Sequence, residues 1–397
     1  MRVTFLTHFP GRGGSTFVLA QLAGFFRDCG HHTQIVVADD SEDAIVDDYI
    51  VVRRRSGEGW RARMIEYKRA VDQTRPDVVY SISGIEELNV LRFLSMPRVR
   101  HFSSLERNEH VDIPYLLPQV TQFLESVTAN TPDVLAHVRA GGGDRFAGWV
   151  APYRIAPAFL DAPSLPETTT NRGCLKVCFI ARLERFLKRA HWIPEIVASC
   201  RQAGQKFRWH IYGDGPLEPW MRKALERQGD VGDVSFHGWV DPLTLARELP
   251  AYDVFFLCSR SEGLPVAMVE AMLCGLACVV PAIPAGITHV LEKGGGWLYH
   301  AASPADAANA LIEAAQDPTL LQQKKREAQS IARGMFATCA VEEQLKRLEA
   351  GVTALTFNGN RLSIDKAARM RTVPLVVLLR RKFFSKLRPT RVNPETC

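Results

Sequence analysis

Short, nearly uninterrupted apolar runs alternate with longer segments of helical period, and the alternation occurs twice along the chain. In the first half VTFLTHF, HTQIVVADD, DVVYSIS and VRHFSS read as strands, with STFVLAQLAGFFRDCG as a helix between the first two. In the second half LKVCFIARL, RWHIYGDG, DVSFHGW, YDVFFLCS and LACVVPA read as strands, spaced by helices such as EPWMRKALERQG and PLTLARELPAY. An apolar run without alternation needs cover on both faces, which places it in a parallel sheet between helices. Strand-helix-strand succession then winds such a sheet, since the crossover returns parallel and right-handed. The chain is therefore expected to fold as two α/β units. The stretch APAFLDAPSLPETTTNRG at 156–173 breaks the pattern with proline, threonine and polar residues and marks the junction. The expected division is an N-terminal unit over 1–160, a second over 173–350 and a C-terminal extension over 351–397.

Composition narrows the functional classes. Apolar residues make up 46% of the chain and charged residues 23%, enough to build two cores. The nine cysteines are odd in number and lie mostly inside apolar runs, so they read as reduced core residues of a cytoplasmic protein. The C-x3-C spacings at Cys174/Cys178 and Cys274/Cys278 lack the second pair or histidines that a structural zinc site needs, and no metal is expected. MRVTFLTHF is too short an apolar run for a signal peptide, and no run reaches membrane-spanning length. Residues 361–391 hold ten Lys or Arg and one Asp, a balance of +9 against a total of +6, so the body is mildly acidic. Nucleic acid is not an expected partner, because a duplex needs basic residues clustered across the fold. The tail, with VPLVVLLRRKFFSKLR, is expected to touch an anionic membrane surface at the inner face of the membrane, an acidic partner, or the protein body.

Open α/β sheets bind ligands beyond the C-terminal edges of their strands, so chemistry is sought there. After the first strand, HFPGRGGST offers a glycine loop, Gly11, Gly13 and Gly14, with Ser15 and Thr16 placed to cap a helix whose N-terminus favours an anion. Its spacing is not G-x-G-x-x-G. In the second unit Arg182 and Lys188 follow the strand VCFIA and suit a diphosphate, and Gly213 keeps side chains out of the cleft after WHIY. Then comes SEGLPVAMVEAMLCG at 261–275. Pro265 fits the first turn of a helix that ends at Gly275, which leaves Glu262 just ahead of the helix N-terminus beside the amides of Gly263, Leu264 and Val266. Carboxylate acceptors and amide donors in one place match sugar hydroxyls and a phosphate. Glu270 sits inside that helix among apolar neighbours, an unusual place for an idle glutamate.

These elements resemble the retaining GT-B glycosyltransferases of family 4. The resemblance covers roughly residues 1–350 and rests on ARLERFLKR, IYGDGP, VSFHGWV and SEGLPVAMVEAMLCGLACVV, of which the E-x7-E segment is the specific part. It implies a GT-B fold of two Rossmann-like doubly wound domains facing a cleft, and transfer of a hexose from a nucleotide diphosphate sugar to a hydroxyl acceptor, a lipid-linked saccharide or small natural product. The nucleotide sugar is then a substrate and no cofactor is implied, with UDP-sugars ranked ahead of GDP- or dTDP-sugars. Arg182 and Lys188 would hold the diphosphate, Glu262 and the amides that follow the sugar, Glu270 the ribose, and Gly13 and Gly14 would close on the phosphate. His101, in VRHFSS, matches the family's cleft histidine by position after a strand. The chain departs from the family in having Ala181 and Arg189 where glycines are common, and one extra residue between Arg182 and Lys188. The alternatives are a non-catalytic sugar-nucleotide or glycan-binding subunit and an epimerase on the same architecture.

Overall fold

The computed structural model describes residues 1–7, 14–39, 49–53, 60–82, 100–105, 126–132, 135–136, 139–140, 147–150, 153–163, 165, 174–229, 232–260, 262–283, 286–300, 302–336, 342, 345–346 and 349. The basic tail over 361–391 lies outside them.

Two parallel sheets form the frame. The first comprises β1 (Arg2–Thr7), β2 (His32–Asp39), β3 (Tyr49–Arg53), β4 (Val78–Ile82), β5 (Arg100–Leu105), β6 (Ser126–Ala129) and β7 (Ala147–Val150) in the order 3-2-1-4-5-6-7. Its described helices are α1 (Gly14–Asp28) and α2 (Trp60–Thr74). After the short α3 (Pro157–Leu160), the second sheet comprises β8 (Leu175–Ile180), β9 (Phe207–Tyr212), β10 (Val234–Gly238), β11 (Val254–Phe256), β12 (Ala277–Pro281) and β13 (Gly296–Tyr299), in the order 10-9-8-11-12-13. It carries α4 (Ile193–Gln202), α5 (Glu218–Gln228), α6 (Pro242–Glu248), α7 (Val266–Leu273), α8 (Gly286–Leu291), α9 (Pro304–Gln316) and α10 (Pro318–Phe336). β12 is buried at all five positions and β1 at five of six, the two-sided cover that their apolar runs required. Strand order reverses between β1 and β4 and again between β8 and β11, and a doubly wound sheet opens a crevice at such a reversal.

Each sheet has its own core, but the chain crosses between them twice. Ile155 and Phe159, expected within the first unit, and Ala162 of the junction pack in the second core, and Arg333 and Gln329 of α10 donate to the carbonyls of Ala162 and Pro163 at 2.6 and 2.8 Å. Leu345, expected in the second unit, packs in the first core, where the Glu349 carboxylate meets His31 Nε2 at 3.1 Å. Apolar periodicity reports that a residue is buried without saying against which sheet. The seven described cysteines are free thiols and five are buried. Among the described residues no helix is long and apolar enough to cross a membrane.

A polar cluster lies on the outer strands of the second sheet. His210 Nδ1 and His237 Nε2 are 3.0 Å apart, Tyr212 stacks on His237 with ring centroids 4.5 Å apart, and the Tyr212 hydroxyl donates to Glu248 while meeting that of Tyr252. Burial, then the neighbouring His237, Lys176 and Arg208, pull His210 down to about 4. A histidine held below its unfolded value contributes stability that is complete above the unfolded value and is lost as pH falls towards the folded one. Thermal midpoints of the full chain should therefore drop between about pH 6.5 and 4, by an amount equivalent to roughly 1–2 kcal/mol for a ring still partly reached by solvent. The slope should flatten in His210→Phe; an unchanged acid limb in that variant places the titration elsewhere.

Candidate active site

The site is assembled at the C-terminal edge of β8 and β11. Beyond β8, Ala181 N–H bonds the Tyr212 carbonyl at 3.1 Å and Leu183 N–H that of Asp214 at 2.8 Å, so the turn after β9 lies flush on this segment. Gly213, at φ +112°, makes that approach possible, since an added Cβ would stand 2.2 Å from the Ala181 carbonyl oxygen. Its part is to keep the edge open. Arg182 then projects into solvent and forms no ion pair among the described residues.

From Arg182 to Arg189 the chain forms a loop. Lys188 Nζ reaches across to the Glu262 carboxylate despite the extra residue. Arg189 takes φ +48°, a left-handed conformation that favours glycine, which is what the family commonly has there. The Arg189 guanidinium lies over Trp192, 4.4 Å from the ring centroid.

 Burial and the nearby Arg260 push the Arg189 guanidinium below its usual value. Arg182, Lys188, Arg189 and Arg260 thus gather positive charge beyond two adjacent strand ends, which suits an anion.

Beyond β11, Ser259 and Glu262 are buried, at 0% and 5% exposure. Ser259 Oγ donates to Glu262 Oε1 at 2.6 Å, and Lys188 Nζ donates to the same oxygen. An ammonium carries three donors, so Lys188 keeps N–H groups for a further acceptor. Pro265 is the N-cap of α7, one position ahead of the first turn where the sequence placed it. The Met268 and Val269 N–H groups bond the Pro265 carbonyl, and the opening N–H groups of α7 lack partners within the helix, leaving it an electropositive end. Leu264 is buried and its carbonyl accepts from Tyr153 Oη at 3.1 Å, while Gly286 packs so closely that an added Cβ would lie 2.6 Å from the Gly263 carbonyl oxygen. Val266 is the first residue of α7. Glu270 is 6% exposed and has no side-chain hydrogen bond among the described residues, and burial pushes its carboxyl up to about 8.

The structure therefore brings Arg182, Lys188, Glu262, Gly263, Leu264, Pro265, Val266 and Glu270 to one sheet edge, with Gly213 packed beside them. His101 is elsewhere. It is the second residue of β5, paired in register with Val79, so it lies inside a strand and not after one. Four residues at about 3.3 Å each separate it from the strand's C-terminal end. Gly13 lies outside the described residues; Gly14 opens α1, so Ser15 and Thr16 fall within its first turn and not at its cap. Sequence reasoning missed Glu184, Ser259 and Arg260. Ser259 had a signal, a small hydroxyl three residues ahead of Glu262 in SRSE, whereas a bond from Glu184 to its own loop has no sequence pattern.

Residues 174–317 match the family described as glycosyl transferases group 1. The "Putative colanic acid biosynthesis glycosyltransferase WcaL" of Escherichia coli (strain K12) is 30% identical over 167 residues, 40% of this chain and 38% of WcaL. The amylovoran biosynthesis glycosyltransferase AmsK of Erwinia amylovora is 35% identical over 113 residues, 26% of this chain and 27% of AmsK. The chain thus spans well under half the length of these curated relatives. Among solved structures, HepE of Anabaena in complex with UDP and glucose superposes with a TM-score of 0.69 at 18% identity, over 88% of this chain and all of HepE. The fold is GT-B, two Rossmann-like domains.

Proposed function

We propose that this protein is a retaining glycosyltransferase of family 4 that moves a hexose from a UDP-sugar to a hydroxyl of a saccharide acceptor. The observation that carries this reading is the meeting of Lys188, Ser259 and Glu262 at the N-terminus of α7, beside the strand-order reversal of the second sheet. Support comes from the family match over 174–317, from relatives named for colanic acid and amylovoran biosynthesis, and from the UDP and glucose bound to HepE.

In this reading Arg182 and Lys188 hold the donor diphosphate, Glu262 and the amides after it hold the sugar, and Glu270 holds the ribose. As the bond to the anomeric carbon breaks, negative charge grows on the leaving oxygen, and cations and helix amides already aimed there lower the barrier. The acceptor hydroxyl attacks from the same face and gives its proton to the leaving phosphate. The basic tail over 361–391 makes a peripheral membrane contact.

The test is a screen of the full chain for thermal stabilisation by UDP, GDP, dTDP and their sugars, followed by turnover with a saccharide acceptor. UDP and a UDP-hexose should raise the midpoint, since a ligand bound only to the folded state stabilises it. Stabilisation without turnover favours a binding subunit, and consumption of the donor without acceptor favours an epimerase. No stabilisation by any nucleotide removes the donor site.

A further inference from the structure

Lys188 can act on a diphosphate only if a non-helical loop presents it reproducibly, and that loop has an unusual set of backbone partners. The Glu184 carboxylate accepts three successive amides: Phe186 N–H on Oε2 at 3.1 Å, and Leu187 N–H at 2.7 Å and Lys188 N–H at 2.5 Å on Oε1. The carbonyls on the other side of the loop are also met. Arg260 N–H donates to the Leu187 carbonyl at 2.7 Å, and Cys258 Sγ lies 3.3 and 3.4 Å from those of Lys188 and Arg189. Ala190 N–H returns to the Glu184 carbonyl at 3.1 Å.

We infer that Glu184 is a positioning residue: its carboxylate folds the loop between Arg182 and Arg189 and so aims Lys188 at Glu262 and the donor diphosphate. This rests on the donor-site reading above. Glu184 touches no reacting atom; it acts through the Lys188 backbone. A charged acceptor on three amides is a stronger tie than a neutral one, and it substitutes for the helical or strand partners that this segment lacks. The reach is specific. Glu184 spans to the amide four residues on, across a loop one residue longer than the family spacing, and a side chain shorter by one methylene is expected to lose that amide. The anchors on the carbonyl side come from residues 258–260, which follow β11 and lead directly to Glu262. One loop therefore fixes both partners of the Lys188–Glu262 pair relative to each other.

The experiment compares full-length wild type, Glu184→Ala, Glu184→Gln, Glu184→Asp and Lys188→Ala. It measures UDP and uridine affinity by calorimetry, turnover with a UDP-sugar, and amide hydrogen exchange over 184–190. Glu184→Ala should weaken UDP binding about 10-fold, leave uridine binding unchanged and slow turnover on the order of 10²-fold, the scale for a catalytic group displaced by about 1 Å. Exchange should quicken at the Phe186, Leu187 and Lys188 amides. Gln keeps an acceptor oxygen and should recover part of each loss, whereas Asp should behave like Ala. If Lys188→Ala loses UDP affinity while Glu184→Ala keeps both affinity and turnover, the inference is wrong and the donor site stands. If neither variant changes UDP binding, the donor-site reading fails and the inference with it. Quickened exchange with unchanged UDP affinity also overturns it, leaving Glu184 as a fold element alone.

Discussion

Glu262→Gln should lower turnover with a UDP-sugar by 10²- to 10³-fold, while UDP binds as tightly as to wild type or more tightly. The asymmetry follows from one oxygen. Glu262 Oε1 accepts from both Lys188 and Ser259, so its negative charge neutralises a cation that, in the proposed function, also faces the donor diphosphate. An amide at this position retains an acceptor for Ser259 but no longer competes for the ammonium charge, and the freed Lys188 can pair fully with a diphosphate. The donor sugar loses a charged acceptor, and the size of the expected loss is that of one preorganised polar group removed from a transition state. Calorimetry with UDP and initial rates with the UDP-sugar measure the two quantities. Parallel losses of both would place Glu262 on the phosphate, and no loss of either would remove it from the site. The variant should also be less stable, since Lys188 is left partly buried beside a neutral group, by about 1–3 kcal/mol.

Much of this site was legible because its parts are local in sequence. The E-x7-E segment fixes both carboxylates to one helix and its entry turn, and every strand expected in the second unit is present. The remaining strands there and in the first unit were harder to read. β6 is SVTA and β13 is GWLY, four residues each, too short to show a period. β3, YIVVR, is apolar enough but follows no helix signal. Long-range relations were invisible for a different reason. The bond from Gln329 to Leu273 at 2.9 Å and that from Lys325 to Asp253 at 3.1 Å fasten α10 across α7 and β11, and they depend on which helix crosses which strand. His101 shows the converse: a residue type was matched to a family role by its place after a strand, whereas the strand begins one residue before it and continues past it.

Glu270→Gln should stabilise the ligand-free protein and weaken it as a nucleotide binder. The carboxyl lies in α7 between Val269 and Ala271, both buried, with no side-chain hydrogen bond among the described residues, and burial alone raises it to about 8. A carboxyl raised above its unfolded value keeps its proton in the fold while the unfolded chain releases one. Stability is therefore fullest below the unfolded value near 4.5 and declines as pH rises to about 8, where the decline ends. At pH 7 the cost is on the order of 3 kcal/mol, at 1.36 kcal/mol per unit. Gln carries no such cost, so the thermal midpoint of the variant should exceed that of wild type by several degrees at pH 8 and converge with it near pH 5. Binding should move the other way. A ribose diol bonded to the Glu270 carboxyl exchanges one oxygen partner for an amide nitrogen in the variant, worth up to about 10-fold in UDP affinity. An acid kept in the core at this expense, with no hydrogen-bond partner among the described residues, fits the proposed ribose role, a trade of stability for function that is usual at binding sites. A variant less stable than wild type at every pH would instead make Glu270 a bonded structural residue. Unchanged UDP affinity alongside raised stability would leave the buried acid without the ribose.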